Sequence, residues 1–197
     1  MTRKILMTHR PSILAVPFMI LVLFSLSSPQ ATELSGKIEI CIECHGENGL
    51  PNQAEIPIIA GQHYYYIYVQ LKDYKAGRRD NEFMTDIAQD LTKEDMKALA
   101  QHFSEQSWPR NGFRADDTDI ALAQSAVTSG MCVQCHLGGY EGNSSVPRLA
   151  GQQAAYLERT MLEYKNKIRM NSQAKGSLFA TYDDNDVKAL AHFLSGR

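Results

Sequence analysis

The sequence is short of cysteine, of tryptophan and of net charge. Four cysteines and one tryptophan occur in 197 residues, and the formal net charge is −2. A balance on the acidic side argues against non-specific nucleic-acid binding, which rests on excess cations. Apolar runs are short too. The most extended, Ile13 to Leu26, is broken at Pro17 and falls below the ~20 residues a membrane helix needs. No stretch alternates apolar and polar residues well enough for a half-buried strand, which leaves helices as the building material. Also missing are a nucleophile–base constellation, a glycine-rich loop for phosphate and a flavin motif. Most familiar enzyme classes are thereby set aside.

What is present begins with the N-terminus. "MTRKILMTHR" carries Arg3, Lys4 and Arg10 and no acid; the apolar run follows, and then the small, polar "SLSSPQATELSG". A basic start, a short apolar middle and a small-residue exit describe a secretory signal peptide, residues 1–31, cleaved after Ala31. An uncleaved N-terminal anchor is the alternative. Removing three cations and no acid takes the formal charge from −2 to about −5, which suits docking to a basic patch on a partner. Export predicts a periplasmic location.

Exported cysteines first suggest disulfides. Here, however, all four thiols sit in two copies of one pentapeptide, "CIECH" (Cys41 to His45) and "CVQCH" (Cys132 to His136). Cysteines three apart make a strained redox pair rather than a structural staple. A thioredoxin-like motif would need alternating strands and helices around it. Zinc needs four tetrahedral ligands, and each cluster offers two sulfurs and one adjoining histidine without a consistent fourth. C-x-x-C-H is instead the attachment pattern for c-type haem. Two thiols one helical turn apart add to the two vinyl groups of one porphyrin. The adjoining histidine then serves as the proximal iron ligand. The expectation is two covalently bound haem c groups, attached at Cys41 and Cys44 and at Cys132 and Cys135, with His45 and His136 on iron.

The two motifs mark an internal duplication. Cys41 and Cys132 are 91 residues apart; "IIAGQ" (Ile58 to Gln62) answers "RLAGQ" (Arg148 to Gln152) 90 apart. In the same order Pro57 answers Pro147, Tyr66 answers Tyr156, Arg79 answers Arg169, and "KALAQHF" answers "KALAHF". Two copies are too few for a solenoid. The expected domains are residues 32–106 and 118–197, joined by a polar, breaker-rich connector at 107–117 in which Trp108 anchors the chain.

Each half reads as three helices with long loops between. "TDIALAQSAVTSGMCVQCH" has apolar residues at helical spacing, with Thr118 or Asp119 as its cap, and delivers its cysteines at the C-terminal end. "QHYYYIYVQLKDYKAG" is a second helix, stopped near Gly77. "TKEDMKALAQHF" is a third, with Thr92 as cap and Asp95 at the third position of a capping box. Each half is marginal alone, and a buried porphyrin would supply missing apolar area.

On these residues the chain resembles the di-haem class I cytochromes c of the cytochrome c4 type. The resemblance rests on both CxxCH motifs, "PIIAGQ" and "PRLAGQ", the Tyr/Leu-rich helix ending before "GRR", and "KALA" in the last helix. It covers essentially the whole chain after the signal peptide. It implies an all-α fold of two tandem cytochrome c domains packed face to face. It further implies periplasmic electron transfer to or from membrane complexes such as terminal oxidases. The backbone carbonyls of Pro57 and Pro147 would orient the proximal histidines, and a methionine before the last helix would be the distal ligand. For the first haem that is Met84, placed in a loop. The second haem departs from the pattern: Met84 corresponds to Ala174 or Lys175, and Met170 lies about five positions early. Met170 on a reshaped loop and a deprotonated Lys175 both stand as sixth ligands, beside an open site. Met131 and Met161 read as core. Arg79 and Arg169 are either donors to haem propionates or exposed helix-end cations. Tyr64, Tyr65, Tyr66 and Tyr68 pack against haem or the domain interface, or form a docking face.

The leading functional expectation is a periplasmic electron carrier without catalysis of its own. Its partners would be a membrane oxidase, a quinol-oxidising complex or a flavoprotein dehydrogenase; no nucleic acid is expected, and the membrane enters only by docking or through an uncleaved anchor. Two rivals are the di-haem subunit of a flavocytochrome sulfide dehydrogenase and a small sulfur-compound redox enzyme using the atypical second haem.

Overall fold

The computed structural model describes residues 29–197; all but the last three residues of the expected signal peptide lie outside them. Among the described residues there are nine helices and no strand beyond an isolated bridge between Asn143 and Val146. The first half holds α1 (Pro29–His45), α2 (Tyr64–Lys75), α3 (Glu82–Gln89) and α4 (Lys93–Ser104). The second holds α5 (Asp117–Ser129), α6 (Val133–His136), α7 (Ala154–Lys165), α8 (Gln173–Phe179) and α9 (Asp184–Ser195).

Local chemistry sets most boundaries. Thr92 and Asp95 form the expected capping box on α4, and Asp183 with Asp186 repeats it on α9. Each pair satisfies two backbone N–H groups that a helix start leaves open. Helix α2 ends at Lys75, and Gly77 turns the chain at φ 66°, a conformation that favours glycine. Helix α5 starts earlier than expected. Its cap is Asp116, whose carboxylate accepts from the N–H of Asp119, so neither Thr118 nor Asp119 is the cap. Asp119 instead pairs with His192 on α9.

Each half gains a helix that the sequence reading leaves as loop. Asn81 caps α3 and Ser172 caps α8, each through its side chain. Segments of seven and eight residues are too short for periodicity to declare them; the caps are the better signal.

Two separate apolar cores follow. The first gathers Ile67, Leu71, Leu91, Met96, Leu99 and Phe103, with Leu34, Ile38, Cys41 and Ile42 of α1 laid along it. The second gathers Ala123, Ala126, Leu157, Met161, Val187 and Leu190, with Cys132 beside them. The alanines at 123 and 126 allow α5 to lie close on α9.

The halves meet through a reciprocal exchange. Gln62 donates its Nε2–H to the carbonyl of Arg148 at 3.0 Å, and its Oε1 accepts the Arg148 N–H at 2.9 Å. Gln152 does the same to Ile58, at 2.9 and 2.8 Å. Because Gln62 and Gln152 are repeat mates, as are Ile58 and Arg148, the contact is isologous, like the interface of a two-fold dimer. Both glutamines are 3% exposed. The connector, residues 105–116 between α4 and the start of α5, crosses this junction. Gly61 and Gly151, at φ 67° and 72°, both abut Trp108, and the Arg148 guanidinium lies over its ring at 5.0 Å.

Replacing Gln152 with alanine strands the buried N–H and C=O of Ile58. The expected loss in unfolding free energy is on the order of 2–4 kcal/mol, read from denaturant titration of the full chain. The exposed control Gln134→Ala should stay within about 0.5 kcal/mol of the parent.

Candidate functional site

Helix α1 carries Cys41 and Cys44 one turn apart and runs through to His45, which is buried. The chain then turns at Gly46 (φ 83°), where a Cβ would lie 2.4 Å from the carbonyl oxygen of Leu50. It returns so that the carbonyl of Pro57 accepts a hydrogen bond from His45 Nδ1 at 2.7 Å. Donation from Nδ1 leaves the lone pair on Nε2, the form in which imidazole binds a metal. Burial pushes the imidazole pKa down, only partly opposed by the bond to Pro57, so the neutral ring is favoured.

The second half reaches the same arrangement by another backbone route. Helix α5 stops at Ser129, Met131 takes φ 49°, and Cys132 then precedes the short α6 that carries Cys135 and His136. His136 Nδ1 lies 3.0 Å from the carbonyl of Pro147. Met131 is 57% exposed; the core placement expected for it is wrong, whereas Met161 is core as expected. The break at Met131 turns its side chain outward.

All four thiols are free. Burial raises the pKa of Cys41 to about 11 and pushes that of Cys132 up as well. Neither resembles the activated thiolate of a dithiol oxidoreductase, whose pKa is depressed. Among the described residues no three His, Cys, Asp or Glu side chains converge on a common point.

Met84 stands at the third position of α3, its N–H held by Asn81 Oδ1 at 3.1 Å. It is half-buried against the same apolar cluster that Cys41, Ile42, Ile59, Tyr64 and Tyr68 border. It therefore sits on a helix rather than a loop. At the third position of α8 stands Lys175, its N–H directed at Ser172 Oγ. The Lys175 amine lies 5.4 Å from the centroid of the Tyr164 ring. Burial, then the positive charge of Arg169, lowers its pKa to about 8. Met170 is 69% exposed.

Between the halves lies a polar cluster that sequence reading reached only in part. Arg79 and Arg169, 6% and 3% exposed, are not exposed helix-end cations. Each stacks on the tyrosine of its own half, Arg79 on Tyr74 and Arg169 on Tyr164, both at 4.6 Å. Arg79 also donates to the Tyr156 hydroxyl of the other half at 3.0 Å. Gln70 accepts from Arg79, Arg169 and Asn171 together. Among the described residues neither guanidinium has a carboxylate in salt-bridge range. Burial would raise the Tyr156 pKa, but Arg79 and Arg169 overcome it and pull it down to about 7. The cluster therefore holds positive charge that no described carboxylate balances. Of the four tyrosines, Tyr66 joins this interface, Tyr64 and Tyr68 border the first core, and Tyr65 is exposed. The other histidines stay with structural partners: His63 meets the carbonyl of Glu141, and His102 the side chain of Gln106.

No protein-family profile matches the chain. Curated relatives do. Cytochrome c4 of Thiocapsa roseopersicina is 31% identical over 181 residues, covering 85% of this chain and 92% of that protein. A protein of Stutzerimonas stutzeri described as a thiosulfate dehydrogenase electron acceptor is 29% identical, covering 79% and 77%. Among solved structures, reduced recombinant cytochrome c4 from Pseudomonas stutzeri superposes with a TM-score of 0.72 at 28% identity, covering 84% of this chain and 97% of that one. The duplicated all-α halves are thus tandem cytochrome c-like domains, and the chain belongs to the cytochrome c4 family.

Proposed function

We propose that the protein holds two covalent haem c groups, one per half, and passes electrons singly between periplasmic redox partners. The observation that carries this reading is the repeated geometry: a thiol pair one turn apart, then a histidine whose Nδ1 is taken by a proline carbonyl. Each haem supplies an iron that changes valence by one electron. Cys41 and Cys44, and Cys132 and Cys135, are the thioether anchors; His45 and His136 are the proximal ligands. Pro57 and Pro147 hold those rings in one tautomer. Met84 is the distal ligand of the first half, and a thioether there favours the reduced state and closes the coordination sphere. The domains span 32–106 and 118–197, with 107–117 as connector, after removal of residues 1–31 on export.

The residues fit haem on independent grounds. The buried guanidiniums of Arg79 and Arg169, which no described carboxylate pairs with, match the chemistry of propionates, which guanidinium groups bind through paired N–H donors. Tyr66, Tyr156 and Gln70 position those guanidiniums between the two halves.

The relatives described as electron acceptors of thiosulfate dehydrogenase favour one donor class, an enzyme that oxidises a reduced sulfur compound. Under this reading the chain receives the electrons and does not itself perform the oxidation. No helix among the described residues is long and apolar enough to cross a membrane, which suits exchange by docking.

Three measurements test these assignments. Export in a host competent for cytochrome c maturation should yield a red protein whose mass exceeds that of the polypeptide by two haems. The double variant Cys132→Ala/Cys135→Ala should carry one; a colourless parent with the bare polypeptide mass defeats the reading. Met84→Leu should open the first iron, so that the reduced protein binds carbon monoxide where the parent's first haem does not. Arg79→Gln removes a buried positive charge beside the haems, and redox titration should show a midpoint potential lower by on the order of tens of millivolts.

A further inference from the structure

We propose that Lys175 is the sixth ligand of the second iron, through its Nζ, so that the two halves carry unlike iron centres. The inference rests on the reading that a haem is attached at Cys132 and Cys135 with His136 beneath it.

The helix caps settle the register that the sequence alone leaves open. Asn81 caps α3, and Met84 is the residue whose N–H its side chain accepts; Ser172 caps α8, and Lys175 is the residue whose N–H its side chain accepts. Lys175 is therefore the counterpart of Met84, and the offset of 91 equals that between the cysteine motifs. Arg79 and Arg169, however, are offset by 90. One additional residue must lie between Arg169 and Ser172, and Asn171 is it. Its side chain bonds Tyr164, Arg169, Gln70 and Asp73, which absorbs the insertion without shifting α8. Met170 then answers Asp80, not Met84, and its 69% exposure agrees.

The second half places no thioether at the position of Met84. Its methionines are Met131, Met161 and Met170. Met131 is exposed ahead of the attachment motif, and Met161 is built into the core. The Lys175 amine, by contrast, is only partly exposed and lacks the partners that hold three other lysines. Lys37 and Lys165 reach carboxylates, and Lys75 reaches two carbonyls, at 2.6–2.8 Å. Among the described residues Lys175 Nζ has no hydrogen-bond acceptor, and it rests on the ring face of Tyr164. Its charge acts on that of His136, and that of Cys135 acts on it. Ligation releases one proton from the ammonium to solvent as the iron–nitrogen bond forms. An amine lacks the thioether's preference for reduced iron, so the second haem should have the lower potential of the two, and a single electron should rest on the first half.

The test uses the full matured protein, with two haems first confirmed by mass. Absence of the second haem would defeat the underlying reading and not the ligand assignment. In the oxidised two-haem protein, near-infrared absorption and magnetic circular dichroism should show one sulfur–iron charge-transfer band's worth of intensity for two low-spin irons. Lys175→Met should double that intensity and raise the lower midpoint potential, while Met170→Leu should change neither. A parent with two thioether-ligated irons, a high-spin second iron, or a Met170→Leu variant that loses a ligand would each overturn the proposal. If Lys175→Met does not mature, the parent spectrum and Met170→Leu still decide.

Discussion

The hydrogen bond from His45 Nδ1 to the carbonyl of Pro57 fixes which ring nitrogen keeps its lone pair, and much of the first half is arranged to hold it. The carbonyl arrives only because the chain after α1 turns sharply at Gly46 and comes back along the motif. The same bond at His136 and Pro147 is reached although the preceding helix is continuous in one half and broken in the other. That the bond survives different backbone routes marks it as the constraint, and the helix that delivers the cysteines as the adaptable part. A buried neutral imidazole with one committed nitrogen is a group waiting for a Lewis acid on the other.

Duplication supplies a second constraint. Two copies of one unit can bury the same surface against each other, so a single glutamine position, used twice, satisfies four backbone groups. The arginines follow the same logic, each stacked on its own half and facing the other. Symmetry is then broken at a few positions with clear effects. Gln70, whose counterpart is the shorter Thr160, reaches both guanidiniums, and Asn171 has no counterpart at all. The halves differ most at the third position of α3 and α8, where Lys175 stands in place of Met84.

Legibility in the sequence followed the range of the interactions. The CxxCH pairs, the capping box at Thr92 and the stop at Gly77 are local, and each was readable within five residues or so of chain. Asp116 as cap is not evident from the sequence because Thr118 and Asp119 offer competing oxygens, and the pairing of Asp119 with His192 depends on α9, far along the chain. Met84 is placed in a loop by the sequence and on α3 by the structure, since a segment that short has no period to detect. Met131 looked like core from its spacing; a left-handed backbone at that residue put it outside. The choice between Met170 and Lys175 was blurred by a one-residue insertion that only the caps locate. Gln62 and Gln152 were visible as a repeated letter, but their exchange across the two-fold could not be read from either copy alone.

Trp108 has a final consequence. Its backbone abuts Gly61 and its indole abuts Gly151, with an Nε1–H that finds no acceptor among the described residues. An uncompensated buried donor is costly, and contact with one glycine of each half, through the backbone at Gly61 and the ring at Gly151, is what the site gains in return. A hinge between the halves would have to extract that ring. The span across which an electron tunnels is consequently clamped, and exchange within the molecule should be indifferent to solvent viscosity, unlike encounter with a partner.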